Sequence, residues 1–341
     1  MRLSGGPLSQ FTFEATNACN LTCLHCLRDK SGARHDLDLR LVDRLLSEGR
    51  PLGLHAASLT GGEPTIHPKF DDLLDLLGRH EIAFTFVTNG WNFLEVYPKL
   101  ARYQERRLLA PIMFSLDGAT PETHDAIRRP GSFRRVMQAV SACHAREIEF
   151  TFQLIVNRLN LPELERFGLM GALLGAKALF YGLILPTPQA LDADLVPAPD
   201  DVRRARDTVA RLAHALSCEV HSTPTFARAR PEMDCPALRR SVLNVDCRGR
   251  LTFCCHLSGL VGASDEDQDI IADLNETPLE VALERLTDRI AEFHKARLRD
   301  LAQGSLGPTD DFPCQYCQRK FGKLGWMAGY PTSPWTPPAA S

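Results

Sequence analysis

No stretch of this chain approaches the roughly 18 consecutive apolar residues that a membrane-spanning helix needs. Its beginning, MRLSGGPLSQFTFEATN, lacks the charged start and continuous apolar core of a secretory signal. There is no polybasic block, and a net charge of −3 gives no reason to expect nucleic acid or an anionic membrane as partner. No internal repeat stands out beyond an alternation of strand-like and helix-like segments. These absences predict a cytoplasmic protein. In a reducing compartment its 11 cysteines read as metal ligands or reactive thiols, not as disulfides.

What is present is a chain of 341 residues, 44% of them hydrophobic, enough for one large α/β domain and a smaller one. Through the first ~185 residues strand and helix patterns alternate, which predicts βα units on a parallel sheet. Strands are expected at 11–16, 56–59, 83–87, 111–116, 149–156 and 178–185. Helical spacing marks 37–47, 70–77, 133–146 and 161–174. A stretch rich in Pro, Ala and Asp at 186–201 reads as a linker before a helix at 202–216. Further on, a turn at 246–249 leads to a strand at 250–253, and 279–293 is an amphipathic helix. The Pro-rich end, 326–341, is expected to be mobile.

The cysteines cluster. Cys19, Cys23 and Cys26 form C-x3-C-x2-C between the first strand and its helix, at the C-terminal edge where parallel α/β sheets carry function. Three is the informative count, because structural zinc and a protein-held 4Fe-4S cluster each want four protein ligands. After the second strand comes Thr60-Gly61-Gly62-Glu63-Pro64, where two glycines permit close backbone approach and Glu63 adds an acceptor. The third and fourth strands end in Thr88-Asn89-Gly90 and Ser115-Leu116-Asp117-Gly118. Such residues can bond sugar hydroxyls, and they also serve as turns and helix caps. Gln153 is a polar residue inside the apolar fifth strand, either facing a ligand or satisfied in the core.

C-x3-C-x2-C followed by G-G-E-P, both at strand ends, resembles the radical S-adenosylmethionine (radical SAM) superfamily. The resemblance implies a partial (β/α)6 TIM-like barrel over residues 1–190. It implies that Cys19, Cys23 and Cys26 hold a 4Fe-4S cluster whose open iron takes the amino and carboxylate groups of SAM. Gly62 and Glu63 would meet the SAM amino group, with Gly61 and Pro64 of the same turn also expected at SAM and His25 in the aromatic position beside the last cysteine. Asn89, Ser115 and Asp117 become candidates for the ribose, Arg128 for the SAM carboxylate and Gln153 for a further ligand contact.

The second cysteine group, Cys235 and Cys254 with the pair Cys314 and Cys317, has the spacing C-x13-G-x4-C followed by a distant C-x2-C. It resembles the shorter, twitch-type relative of the SPASM auxiliary-cluster domain. That implies a smaller α+β domain over 231–325, joined through 191–230, and four ligands closing one auxiliary Fe-S cluster. Four cysteines also suit zinc. Cys247 could replace Cys235 or Cys254, and either member of the Cys254-Cys255 pair could face the cluster. As spare thiols, Cys247 and Cys255 are also candidates to donate a hydrogen atom, or they are small buried hydrophobes.

The resemblance further implies a 5′-deoxyadenosyl radical that takes a hydrogen atom from a substrate, the protein supplying orientation and exclusion of water. A ribosomal peptide or protein is the first reading of that substrate, modified by crosslink, thioether or epimerisation. A sugar or aminocyclitol alcohol undergoing dehydrogenation is the alternative, and a non-catalytic Fe-S or zinc protein a third. An electron donor such as flavodoxin or ferredoxin is expected. Only 18 residues precede Cys19, too few for the winged-helix domain that leader-binding maturases often carry, so a peptide leader would bind a separate protein or the barrel itself.

Overall fold

The computed structural model describes residues 7–227, 233, 235–262 and 268–337. All six expected strands form, as β1 (Gln10–Thr16), β2 (Ala56–Gly61), β3 (Ala83–Thr88), β4 (Ile112–Ser115), β5 (Phe150–Val156) and β6 (Ala178–Leu183). They pair parallel in chain order. A seventh strand, β7 (Glu219–Ser222), adds parallel to β6. On the opposite side β8 (Val242–Val245) pairs parallel with β1, and β9 (Arg250–Thr252) and β10 (Ile270–Asp273) continue antiparallel. Among the described residues this is one sheet, ordered β10-β9-β8-β1-β2-β3-β4-β5-β6-β7.

Alternation along the strands decides what faces where. Phe11 and Phe13 of β1, Phe84 and Phe86 of β3, Phe114 of β4, and Phe150 and Phe152 of β5 point to the helices and are buried. They meet mostly edge to face, with Phe93–Phe114 ring centres 4.9 Å apart and Phe84–Tyr103 5.2 Å. Each such ring contributes roughly 1.5–3 kcal/mol by burial. The opposite faces present Gln10, Thr12, Met113, Ser115 and Gln153 to interior cavities.

Three expectations change. The span 191–230 is more than linker and helix: the Pro199–Ala215 helix leads into β7, which extends the barrel sheet. Strand β7 is too polar and exposed to show an apolar alternation. The helix expected at 279–293 runs Leu279–Gln303. The Pro-rich end is docked as far as it is described: Trp335 is 1% exposed and packs 4.8 Å from Phe312, and its Nε1 donates to Pro197 O at 2.7 Å. A single indole provides the apolar surface that the surrounding composition lacks. Residues 338–341 of that span lie outside the described residues.

Candidate active site

The loop 19–26 leaves β1 and is fixed by its neighbour after β2. Gly62 N–H donates to Thr16 O at 2.6 Å and Glu63 N–H to Ala18 O at 2.9 Å. The contact leaves no space for side chains: a Cβ on Gly62 would lie 1.9 Å from Ala18 O, and one on Gly61, at φ +121°, 2.3 Å from Thr16 O. Both glycines are therefore required to bring the turn against the cysteine loop.

A cavity of about 210 Å³ opens beside them, lined by Cys19, Cys23, Cys26, His25, Gly61, Gly62, Glu63, Asn89, Ser115, Arg128 and Gln153. Glu63 is 1% exposed. Its Oε1 accepts from Thr65 Oγ1 at 2.6 Å and Thr88 Oγ1 at 2.8 Å, and its Oε2 from Asn89 N–H at 2.8 Å. Burial pushes its pKa up and these donors only partly offset it. Asn89 Nδ2 donates to Asn20 Oδ1 at 2.8 Å and stands 3.9 Å from Cys19 Sγ. Ser115 and Gln153 sit side by side in the β4–β5 register.

Two expected contacts fall elsewhere. Asp117 does not line the cavity: it is fully buried, bonding Arg128 Nε at 2.5 Å, His25 Nε2 at 2.9 Å and Ile155 N–H at 2.8 Å. Burial acts to raise its pKa, but Arg128 and His25 outweigh it and hold the carboxyl well below the usual range. Its acceptors are thus spent orienting Arg128 and His25, both of which do line the cavity. Pro64 also stays off the wall and opens the short 3₁₀ turn Pro64–Ile66, with Glu63 as its cap.

Sequence reasoning passed over Lys30, Thr223, Thr225 and His256. Lys30 Nζ donates to Leu21 O at 2.9 Å inside the cysteine loop, and the other three come from beyond residue 190 to line this cavity. A histidine directly after Cys254-Cys255 was the one available signal.

The second cysteine group assembles from three segments. Cys235, Cys254, Cys255, Cys314 and Cys317 line one cavity of about 770 Å³. Cys314 and Cys317 ride on the Pro313–Lys320 helix, and Cys314 Sγ lies 3.7 Å from His256 Nδ1. Cys254 and Cys255 hydrogen-bond, which raises the first thiol's pKa and lowers the second's. Cys247 does not join them. It faces a separate polar cleft of about 190 Å³ beside Glu14, Arg28 and Asp246, and burial pushes its thiol up to about 12. The turn at 246–249 directs it away, so neither the ligand nor the hydrogen-donor role expected for it has support here.

The two cysteine groups are tied together. Asp29 N–H donates to Gly259 O and Val261 N–H to Leu27 O, both at 2.9 Å, while Arg28 pairs with Glu14 at 3.0 Å. Gln153, Thr223 and His256 border both the 210 Å³ and the 770 Å³ cavity.

Residues 13–167 match the family model described as the radical SAM superfamily. That match runs from β1 through β5, and over it the chain carries a radical SAM domain. Mycofactocin maturase MftC of Mycobacterium tuberculosis is 33% identical over 196 residues, 55% of this chain and 48% of that protein. The chain thus spans about half the length of the curated relatives it matches. The fold is shared more widely. Streptococcus suis SuiB bound to precursor peptide SuiA superposes with a TM-score of 0.62 at 13% identity, over 81% of this chain and 64% of that one. The structure of anSMEcpe with bound AdoMet and a Cp18Cys peptide gives 0.65 at 15% identity, over 95% and 98%.

The superfamily's cofactors are a 4Fe-4S cluster and SAM, and this site fits them. Cys19, Cys23 and Cys26 line one cavity beside a turn whose two glycines leave no room for side chains of their own, and burial raises the Cys19 thiol and takes Cys23 up to about 11, so stable thiolates there call for a cationic metal centre. At the second group, burial likewise raises Cys314 and Cys317, and the donors outnumber the four an auxiliary cluster needs.

Proposed function

We propose that this chain is a radical SAM enzyme that modifies a ribosomal peptide or protein, in the cytoplasm, with a flavodoxin- or ferredoxin-type electron donor. The observation that carries this reading is the chamber. The cavity beside Cys19, Cys23 and Cys26 shares a wall with a larger cavity bordered by the second cysteine group. The larger one is lined chiefly by apolar residues, among them Met113, Met233, Val242, Phe253 and Leu257, and none of its described lining residues is charged. It suits a neutral side chain or backbone segment of a peptide. The relatives' names point the same way: a maturase, and two enzymes solved with peptides bound.

In this reading Cys19, Cys23 and Cys26 hold the SAM-binding cluster. Gly62 and Glu63 receive the SAM amino group, Arg128 the carboxylate, and Asn89, Ser115 and Gln153 the ribose side. When bound, cluster and SAM supply one-electron cleavage of the S–C5′ bond and hydrogen-atom abstraction. Asp117 keeps Arg128 and His25 in place. Cys235, Cys254, Cys314 and Cys317 would hold the auxiliary cluster, which would supply an electron acceptor beside the chamber. Cys255 remains beside it, facing the chamber, as the candidate hydrogen donor should the outcome be epimerisation. A leader would be gripped by a separate protein or by the barrel.

Anaerobic reconstitution should give roughly eight irons per chain, and dithionite with SAM should yield 5′-deoxyadenosine. Incubation with short peptides encoded beside the gene should change a peptide's mass: loss of two hydrogens for a crosslink, gain of one deuterium from heavy water for epimerisation. Conversion of an alcohol or amino sugar but of no peptide would replace this reading with dehydrogenation.

A further inference from the structure

Asn244 of β8 is 4% exposed, and its Oδ1 is buried without a hydrogen-bond partner. Both hydrogens of its Nδ2 are spent, one on Glu14 Oε1 and one on Thr252 Oγ1, each at 2.8 Å. That pairing fixes which way the amide lies, because turning it over would set its oxygen against the Glu14 carboxylate. A buried acceptor left bare is costly, and nearly all such groups in folded proteins have a partner. The position therefore calls for a donor that the protein does not supply.

The neighbours show from which side that donor comes. Glu14 and Thr252 border the polar cleft of about 190 Å³, whereas Asn244 borders the chamber of about 770 Å³. A carboxamide carries its nitrogen and oxygen on opposite edges. With Nδ2 turned to the cleft, Oδ1 is the edge turned to the chamber. Across the parallel register Thr12 stands opposite Asn244 and Gln10 opposite Val242, and both line the same chamber. Neither side chain is hydrogen-bonded to another residue among the described residues. One strip of wall thus offers an acceptor with no proton left to give, next to groups that can donate. No charged residue shares the described lining, so the group that fits this strip is neutral and carries both a donor and an acceptor. A secondary amide is such a group.

We propose that Asn244 Oδ1 accepts a backbone N–H of the bound peptide and, with Thr12 and Gln10, holds one secondary amide of the substrate in the chamber. The assignment rests on reading the chamber as the site of a peptide substrate, and the test separates the two claims.

The probes are N-benzylacetamide, which has one N–H, and benzyl acetate, the ester of the same shape with an oxygen in place of that N–H. Their binding is compared by equilibrium dialysis against the reconstituted holoenzyme with SAM and no reductant. Apolar walls alone, or an Oδ1 that holds only water, would favour the ester, the less polar of the two. With Asn244 as acceptor the amide should bind about tenfold tighter than the ester, and Asn244→Leu should put the ester first. The comparison in the parent needs no variant and stands even if Asn244→Leu does not fold. An ester bound as tightly as the amide in the parent, no binding of either probe, or an amide preference that survives Asn244→Leu overturns the assignment. If a peptide is modified all the same, the proposed function stands without it. Conversion of an alcohol or amino sugar but of no peptide overturns that reading itself, whatever the dialysis shows.

Discussion

The two cysteine groups reach a metal-binding arrangement by opposite routes. The first is local: three cysteines within eight residues on one loop, fixed by the glycine turn at the end of the neighbouring strand β2. The second is global: residues 235, 254–255 and 314–317 meet only after β8 pairs with β1 and the Leu279–Gln303 helix returns the chain. They also differ in surroundings. The first is ringed by polar and cationic groups, Lys30, Asn89 and Arg128, beside a small cavity. The second borders a larger, mainly apolar chamber. A small polar pocket suits a charged cofactor held at one open iron; a large apolar one suits a substrate beside a closed electron acceptor.

The glycine contact is where this comparison breaks most readily. Gly62→Ala puts a methyl into Ala18 O. It should destabilise the loop by on the order of 3 kcal/mol and halve the iron bound, sparing the auxiliary cluster. Loss of both clusters together would show that the groups fold as one unit.

A medium-sized effect lies in acid. His124 is buried with its Nδ1 accepting from Asp117 N–H at 3.0 Å, and burial together with Arg128 lowers its pKa to about 3. It folds neutral, so the stability it lends is present above its unfolded pKa near 6.5 and is lost as pH falls below that value. Between pH 7 and 5 the parent should lose about 2 kcal/mol more than His124→Asn, measured by urea unfolding at both pH values. An equal loss would remove His124 from the network that orients Arg128 and His25 at the first site.

The smallest effect on stability should come from Glu63→Gln. Burial raises this carboxyl, so ionising it costs stability as pH rises above its unfolded value near 4.5. The amide should therefore be slightly more stable at pH 7, with the gain vanishing toward pH 4. SAM affinity should fall about tenfold or more with the loss of a charged acceptor. Unchanged SAM affinity would move the amino-group contact away from Glu63.

These two regions also mark how far the sequence could be read. Strands β1 to β6 are legible because Phe11, Phe13, Phe84, Phe86, Phe150 and Phe152 alternate with residues that face the interior. The first cysteine loop is legible because its ligands are neighbours in sequence. Strand β8, with four residues, and β7, with a polar surface, owe their existence to pairing with β1 and β6, which no local pattern records. Asp117 read as a ligand contact because Ser-Leu-Asp-Gly ends a strand, but the direction of its carboxyl depends on Arg128 and His25. Cys247 and Cys255 look equivalent in sequence, and only the turn at 246–249 and the packing of β9 separate them. Trp335 shows how one aromatic residue can dock an end that composition describes as unstructured.

The central claim, that the first group starts the reaction and the second completes it, is tested most directly by comparing Cys19→Ala with Cys317→Ala. Iron and 5′-deoxyadenosine should be counted in the same anaerobic preparations under dithionite. Each variant should lose about half the iron of the parent. Cys19→Ala should make no 5′-deoxyadenosine, whereas Cys317→Ala should still cleave SAM but form no modified product. Equal loss of SAM cleavage in both, or cleavage that survives Cys19→Ala, would contradict the account.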